Sequence, residues 1–332
     1  MRLIGITTTV PVEVILAAGA TPVDLNNLFV SNTDPQSLIS RAENDGFPLN
    51  TCAWIKGIYG AVIAHGIEEI ICVTGGDCSN TLMLMEVLRY RGIRAIPFAY
   101  PATPEQSAMA ATIEKLATEL GTTVAAAEEC RQQLVPIRSL TSEIDRLTWH
   151  ANQVSGKENH HWLVSASDFN GDTRLYSEQL QALVAQAGQR ERYPEDELRL
   201  GIIGVPPVYA AELYPFLEHC GGRAVFNEVQ RQFAMPYDVN SLVEQYTVYT
   251  YPYATAQRIE DINNAIVERR LDGIVHYVQS FCHRAIGDIL MRLELKVPIL
   301  TIEGNTDFNL NQHLKTRLEA FLDMLHFKNI KQ

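Results

Sequence analysis

The sequence predicts an α/β fold made of two duplicated parallel-sheet domains with a helical insert between them. Three observations carry the prediction. Two β-α-β units, far apart in the chain, share one layout: Glu69 to Thr74 and Gly273 to Val278 read as buried strands, each followed by a cysteine, a helix and another strand. The opening pattern of strand, Pro-containing turn, helix, glycine and strand returns at Leu200. Between them, from Pro104 to about Gln186, the composition is Ala-rich and helical, with no strand pattern. Strands alternating with helices imply parallel sheets. The predicted division is a first α/β domain over 1–103, a helical insert and linker over 104–198, and a second α/β domain over 199–332.

In order, residues 2–7 form a short strand closed by Thr7-Thr8-Thr9, and Pro11-Val12-Glu13 opens a helix to about Ala18. Proline and an acidic residue are ordinary helix-entry signals. Gly19 closes that helix, Thr21 to Leu25 is a second strand, and 34–45 reads as a short surface helix. A helix from near Cys52 carries Trp54, Ile55, Ile58, Val62 and Ile63 at the spacing of one buried face. The first cysteine unit follows: Cys78, a helix from Leu82 to Tyr90, and a strand from Arg94 to Phe98. In the insert, Glu105–Leu120, Val124–Leu134, Ile137–Ala151, Lys157–Ala166 and Thr173–Gln186 are candidate helices. The second half continues with a helix from Tyr209 to His219, a strand from Arg223 to Phe226 and a helix from Ala254 to Arg270. Its cysteine unit, with a helix from about Ala285 and a strand from Val297 to Ile302, precedes a last helix from Asn311 to Phe327.

Hydrophobic residues make up 46% and charged residues 20%, the balance of a globular chain. A net charge of −12 argues against nucleic acid, which demands a basic face. No apolar run approaches the ~18 residues of a membrane span, and the first residues enter a strand without a signal-peptide pattern. The expectation is a cytoplasmic protein without membrane contact. Six cysteines there are buried hydrophobes, reactive thiols or metal ligands rather than a disulfide framework.

Position separates the cysteines. Cys52 precedes a helix by no more than a turn, where a thiolate is favoured. Cys78 and Cys282 follow strands and precede helices, each eight residues after an isoleucine (Ile70 to Cys78, Ile274 to Cys282). In open parallel sheets the ligand crevice lies at the carboxyl ends of the strands. Three thiolates there suit an iron–sulfur cluster with one open position, or zinc; structural burial is the competing reading. Cys72 inside a strand, Cys130 in a helical run and Cys220 at a helix end read as packing residues. Thr8 or Thr9 could hydrogen-bond a ligand, against ordinary helix capping. Arg258 and Lys56 are candidates to balance an anion, and His283 to support a metal ligand. There is no P-loop, no G-x-G-x-x-G after a strand, no H-E-x-x-H and no G-x-S-x-G.

At these residues the chain resembles the 2-hydroxyacyl-CoA dehydratase and benzoyl-CoA reductase family. The carrying stretches are Thr7-Thr-Thr-Val-Pro-Val-Glu13 with Ala17-Ala-Gly19, Asn50-Thr-Cys-Ala-Trp54 and Gly76-Asp-Cys-Ser-Asn80. Asp272-Gly-Ile-Val275 through Ser280-Phe-Cys282, Ile302-Glu-Gly304 and Thr316-Arg-Leu-Glu-Ala-Phe321 complete them. The resemblance implies two flavodoxin-like domains and a [4Fe–4S] cluster on Cys52, Cys78 and Cys282. It also implies a hydroxyl residue, Thr8, beside the open iron. It further implies an acyl-CoA substrate, a similar subunit in a homo- or heterodimer, and a separate ATP-hydrolysing activator that injects one electron. Two departures stand out: Leu25-Asn26-Asn27 lacks the carboxylate found beyond the second strand of catalytic dehydratase subunits, with Asp24 the nearest, and Asn305 replaces an Asp. They open two alternatives, a non-catalytic partner subunit and an ATP-dependent low-potential reductase on the same fold. A metal-free α/β protein that binds a small anion is the remaining reading.

Overall fold

Two four-stranded parallel sheets organise the chain, with strand orders β2-β1-β3-β4 and β6-β5-β7-β8. The structure is a computed structural model and describes residues 2–329. It falls into two units. The first comprises the chain up to Ser139, Ser165–Ser177 and Met235–Ala254; the second comprises Leu140–Val164, Glu178–Ala234 and the chain from Thr255 on.

In chain order the elements are β1 (Leu3–Ile6), α1 (Val12–Ala17), β2 (Thr21–Asp24), α2 (Leu25–Val30), α3 (Pro35–Asn44) and α4 (Ala53–His65). There follow β3 (Glu69–Gly75), α5 (Asn80–Tyr90), β4 (Arg94–Ala99), α6 (Gln106–Leu120), α7 (Val124–Trp149), α8 (Gly156–Val164) and α9 (Thr173–Ala187). The second sheet brings β5 (Leu198–Gly204), α10 (Ala210–His219), β6 (Gly222–Asn227), α11 (Glu228–Phe233) and α12 (Leu242–Val248). The chain ends with α13 (Thr255–Glu268), β7 (Gly273–Gln279), α14 (Asp288–Glu294), β8 (Ile299–Gly304) and α15 (Gln312–Asn329). The fold is α/β with two flavodoxin-like sheets, as the alternation of elements predicts. The strand orders superimpose β1 on β5, β2 on β6, β3 on β7 and β4 on β8.

Each sheet is covered by helices, so its central strands are near-continuous apolar runs. In β3, Ile70, Ile71, Cys72 and Val73 are all fully buried. The cluster on one side of the first sheet joins Leu25, Ile55, Tyr59, Ile70, Leu84 and Leu88. In the second unit, Leu213, Leu217, Leu318 and Leu322 close one side of the sheet with Leu200 and Val275, while Ile262, Ala265 and Met291 join Ile203 and Ile274 in a separate cluster. At the edge strand β4, Pro97 has no N–H, and the Ala95 carbonyl accepts from Arg89 Nε and Nη2 at 3.0 and 2.7 Å. A groove of about 620 Å³ beside this strand is lined by Arg94, Phe98, Thr112 and Lys115 among others.

The structure differs from the sequence reading at several elements. Helix α7 runs unbroken through Pro136, where two helices are expected. Proline removes one ladder hydrogen bond from a helix interior. Here, buried side chains on both sides of Pro136 anchor the helix: before it Arg131 Nη2 donates to the Asn240 carbonyl (3.2 Å), and after it Arg138 pairs with Glu13 and Asp145 with Arg269. The short helices α2, α11 and α12 lack the length for a periodic signal. The segment His283–Gly287 is a tight three-residue-per-turn stretch that precedes α14.

Candidate functional site

In a sheet of this topology the ligand crevice lies outside the carboxyl ends of the strands at the switch point, between β1 and β3 in the first unit. The loops that follow these two strands are Thr7–Val10 and Gly76–Cys78. Thr7–Val10 is held at nearly every residue. Thr7 N donates to Ile71 O (3.2 Å), Val73 N donates to Thr7 Oγ1 (3.0 Å), and Asn26 Nδ2 donates to Thr7 O (2.9 Å). Tyr100 Oη donates to Thr9 O, and Tyr246 Oη reaches Val10 O, both at 2.9 Å. Thr8 is buried on this loop, and Thr9 Oγ1 is buried with no hydrogen-bond partner among the described residues.

Beneath the loop, Glu13 is fully buried and receives Arg138 (2.6 Å), Gln245 Nε2 (2.8 Å) and Tyr246 Oη (2.8 Å). Burial alone would raise this carboxyl; Arg138 and the hydrogen bonds outweigh it and hold Glu13 below the usual carboxylate range. The network fixes the start of α1 and therefore the loop before it.

Gly76 has φ +89°, and a Cβ there would lie 2.9 Å from Tyr100 Cβ and 3.0 Å from Pro252 Cβ. Only glycine fits this turn, which delivers the chain to Cys78 two residues later. Tyr100 thus supports both loops, one by its hydroxyl and the other by its Cβ. Cys52 is the N-cap residue of α4 and is buried in the apolar cluster of the first unit; Cys78 packs against the same cluster. These two predicted ligands share one neighbourhood.

In the second unit Cys282 follows β7 at the equivalent strand end. Its N–H donates to Gln279 O (3.1 Å), and its carbonyl accepts from Ala285 N (3.1 Å). The residue before it, Phe281, has φ +62°, a left-handed conformation that bulky side chains seldom adopt. Gln279 Nε2 donates to the Asn305 carbonyl at 3.2 Å. His276 on β7 meets Asp288 at 2.7 Å; burial holds this imidazole below its ordinary pKa, with Asp288 opposing.

Of the other cysteines, Cys72 lies in the apolar cluster of the first unit and Cys220 packs against a cluster of the second. Burial pushes the Cys72 thiol up to about 12 and raises Cys130 and Cys220 as well, so all three are held as neutral thiols. Arg258 and Lys56, considered as partners for an anion, are committed to ion pairs: Arg258 with Glu228 (2.6 Å) and Lys56 with Glu43 (2.6 Å). Among the described residues, no group of three or more His, Cys, Asp or Glu side chains is gathered as a metal site. The donors themselves fit an iron–sulfur group in kind, because they are thiols placed after strands and at helix starts.

The sequence reading missed Asp168. It belongs to the Ser165–Ser177 segment of the first unit, and its Oδ2 accepts the Asp24 N–H at the end of β2 (2.7 Å). Nothing in its local sequence marks that pairing, because the partners stand 144 positions apart.

Duplicated four-stranded parallel units, each with a cysteine beyond its third strand in chain order, define a two-sheet α/β protein with thiols at its strand ends. The chain belongs to the 2-hydroxyglutaryl-CoA dehydratase, D-component family, which matches residues 7–325 of 332. No curated protein matches it. Among the described residues, no helix is long and apolar enough to cross a membrane.

Proposed function

We propose that the chain is the iron–sulfur component of a 2-hydroxyacyl-CoA dehydratase-like enzyme, with Cys52, Cys78 and Cys282 as the ligands of a [4Fe–4S] cluster. The observation that carries this reading is the family match over residues 7–325. When bound, such a cluster supplies the low-potential electron and open iron site needed to remove water from a 2-hydroxyacyl thioester. The chain's own residues do the holding. Cys52 sits at a helix start in apolar surroundings, which excludes water from its sulfur. Thr8 is buried on a loop whose next two carbonyls, Thr9 O and Val10 O, are held by Tyr100 and Tyr246, so the backbone that carries its hydroxyl is set before a ligand arrives. The reading includes an acyl-CoA substrate, a similar subunit as partner, a separate ATP-hydrolysing activator and a cytoplasmic setting.

A second reading, a non-catalytic partner subunit or an ATP-dependent low-potential reductase, is favoured by one specific feature. Asn26 commits its amide to Asp24 Oδ1 (2.8 Å) and Thr7 O (2.9 Å), and so serves the scaffold at the place where a proton-handling carboxylate is expected.

Anaerobic purification and reconstitution, followed by iron and sulfide analysis, tests the cluster. Iron and sulfide are expected in equal amounts in the wild type and are lost in Cys52→Ser, Cys78→Ser and Cys282→Ser. Cys130→Ser is expected to retain both; equal loss in that variant overturns the ligand set. Water loss from a 2-hydroxyacyl-CoA, with and without an activator and reductant, separates the dehydratase from the second reading.

A further inference from the structure

The segment Ser165–Gly171 lies against β2 and α2 in the first unit. Asp168 Oδ2 accepts Asp24 N (2.7 Å), Asp168 Oδ1 accepts Asn170 N (2.9 Å), and Asn27 Nδ2 donates to Ser167 Oγ (3.2 Å). Phe169 is fully buried, edge-on to Tyr176 with centroids 5.6 Å apart, and Arg138 lies 6.0 Å from its ring centroid. Phe169 and Asn170 both take left-handed φ values, +55° and +52°, so docking must hold a backbone that would relax if released. Asp24 Oδ1 in turn accepts from Asn26 N (2.9 Å) and Nδ2 (2.8 Å), and the same Nδ2 donates to Thr7 O. A chain of hydrogen bonds therefore runs from the strap through Asp24 and Asn26 to the loop that carries Thr8.

We propose that Asp24 and Asp168 form a proton-dependent latch that fastens the strap Ser165–Gly171 to the first unit and, through Asn26, steadies the loop Thr7–Val10. Both carboxyls are more than nine-tenths buried. Two carboxylates so placed repel each other and lack the hydration that would let both ionise. Burial first, and the Asp24 charge second, push Asp168 up to about 7; burial raises Asp24 as well. Hydrogen bonds to Asp24 from Ser167, Asn26 and Asn27, and to Asp168 from the Asp24 and Asn170 amides, favour the charged forms but do not outweigh burial. Tyr176 is held neutral by burial, and Arg138 is already paired with Glu13. The fastened strap consequently holds a proton that a released strap gives up near the ordinary carboxylate pKa of about 4.

The sign follows from proton linkage. An acid whose pKa is raised in the fastened state gives fastening that is complete below about pH 4, weakens as pH rises to about 7, and is level above that. The latch requires neither a cluster nor a substrate, so it stands or falls apart from the proposed function.

Hydrogen exchange of the intact chain, read on peptides covering residues 165–177 and 7–14 and corrected for intrinsic rates, tests it between pH 5 and pH 8. Protection of both segments is expected to fall by about tenfold per pH unit from pH 5 to pH 7 and then level off, while β5 keeps its protection. Asp168→Asn cannot ionise and keeps an acceptor for Asp24 N while giving up the one for Asn170 N, so its strap is expected to show a protection that is lower in level but does not change with pH. Wild-type protection that does not change between pH 5 and pH 7, or an equal fall in Asp168→Asn, overturns the latch. Asp24→Asn removes the repulsion but leaves Asp168 buried, so if Asp168→Asn does not fold, the fall is expected to end at a lower pH in Asp24→Asn than in the wild type, and an unchanged profile there overturns the latch.

Discussion

The two units share a strand order and both clamp buried carboxyls with arginine, but among the described residues only the first adds a pair of buried aspartates. In the second unit each of three meets an arginine: Glu228 with Arg258 (2.6 Å), Asp145 with Arg269 (2.5 Å) and Glu197 with Arg223 (2.5 Å). Burial would raise Glu228 and Asp145, but the guanidinium groups reverse the shift and hold both below the usual carboxylate range. Their contribution is present above about pH 4 and is lost as the medium becomes more acidic. The first unit has such pairs as well, Glu13 with Arg138 and Glu69 with Arg2 and Arg94, and adds Asp24 against Asp168, whose response to pH has the other sign. One topology therefore accommodates both a permanent electrostatic clamp and a titratable one. What differs is the partner that meets the carboxyl: an arginine in one case, such as Arg258 on α13 against Glu228, and an aspartate on the strap in the other.

The largest expected effect breaks a clamp. Arg269→Ala leaves Asp145 buried and uncompensated, and a loss of about 3–5 kcal/mol in denaturant unfolding is expected. The paired change Asp145→Asn with Arg269→Met should recover much of it; if the double variant is no better than the single, the clamp is not electrostatic.

The turns before the strand-end cysteines sharpen the comparison further. The first unit uses Gly76 where φ is +89° and space is closed; the second places Phe281 at φ +62° directly before Cys282, with its side chain more than half exposed. Gly76→Ala must adopt an unfavourable backbone and crowd Tyr100 and Pro252, for a loss of about 3 kcal/mol. Phe281→Gly should have the opposite and smallest effect, a gain of up to about 1 kcal/mol from relieved backbone strain. Thermal or urea unfolding of the two variants checks both signs. A loss of stability in Phe281→Gly would show that the ring has contacts worth more than the strain.

The sheets were legible because parallel strands covered on both faces leave continuous apolar runs such as Ile70–Val73, and because the duplication repeats them. Cys52 was legible as a helix-start thiol because Trp54, Ile55 and Ile58 behind it have helical spacing. The continuous α7 was not legible, since Pro136 is a local signal for a break, and long-range partners, Glu13 for Arg138 and Arg269 for Asp145, overrule it. The support of the Thr8 loop was hidden for the same reason. Tyr100 and Tyr246 stand 91 and 236 positions from the carbonyls they bind. Side chains contributed from distant sequence leave no mark in local periodicity.

The rims of the first sheet carry a consequence of their own. Strand edges with open donors and acceptors invite another chain to add a strand, the route to runaway aggregation. On β4 that invitation is withdrawn twice, by Pro97, which has no N–H, and by Arg89, which occupies the Ala95 carbonyl. On β2 the Asp24 N–H is already spoken for by the strap. A crowded population of these chains is thereby kept from stitching sheet to sheet at those positions, and any association there must be made by side chains, which can be specific, rather than by backbone, which cannot.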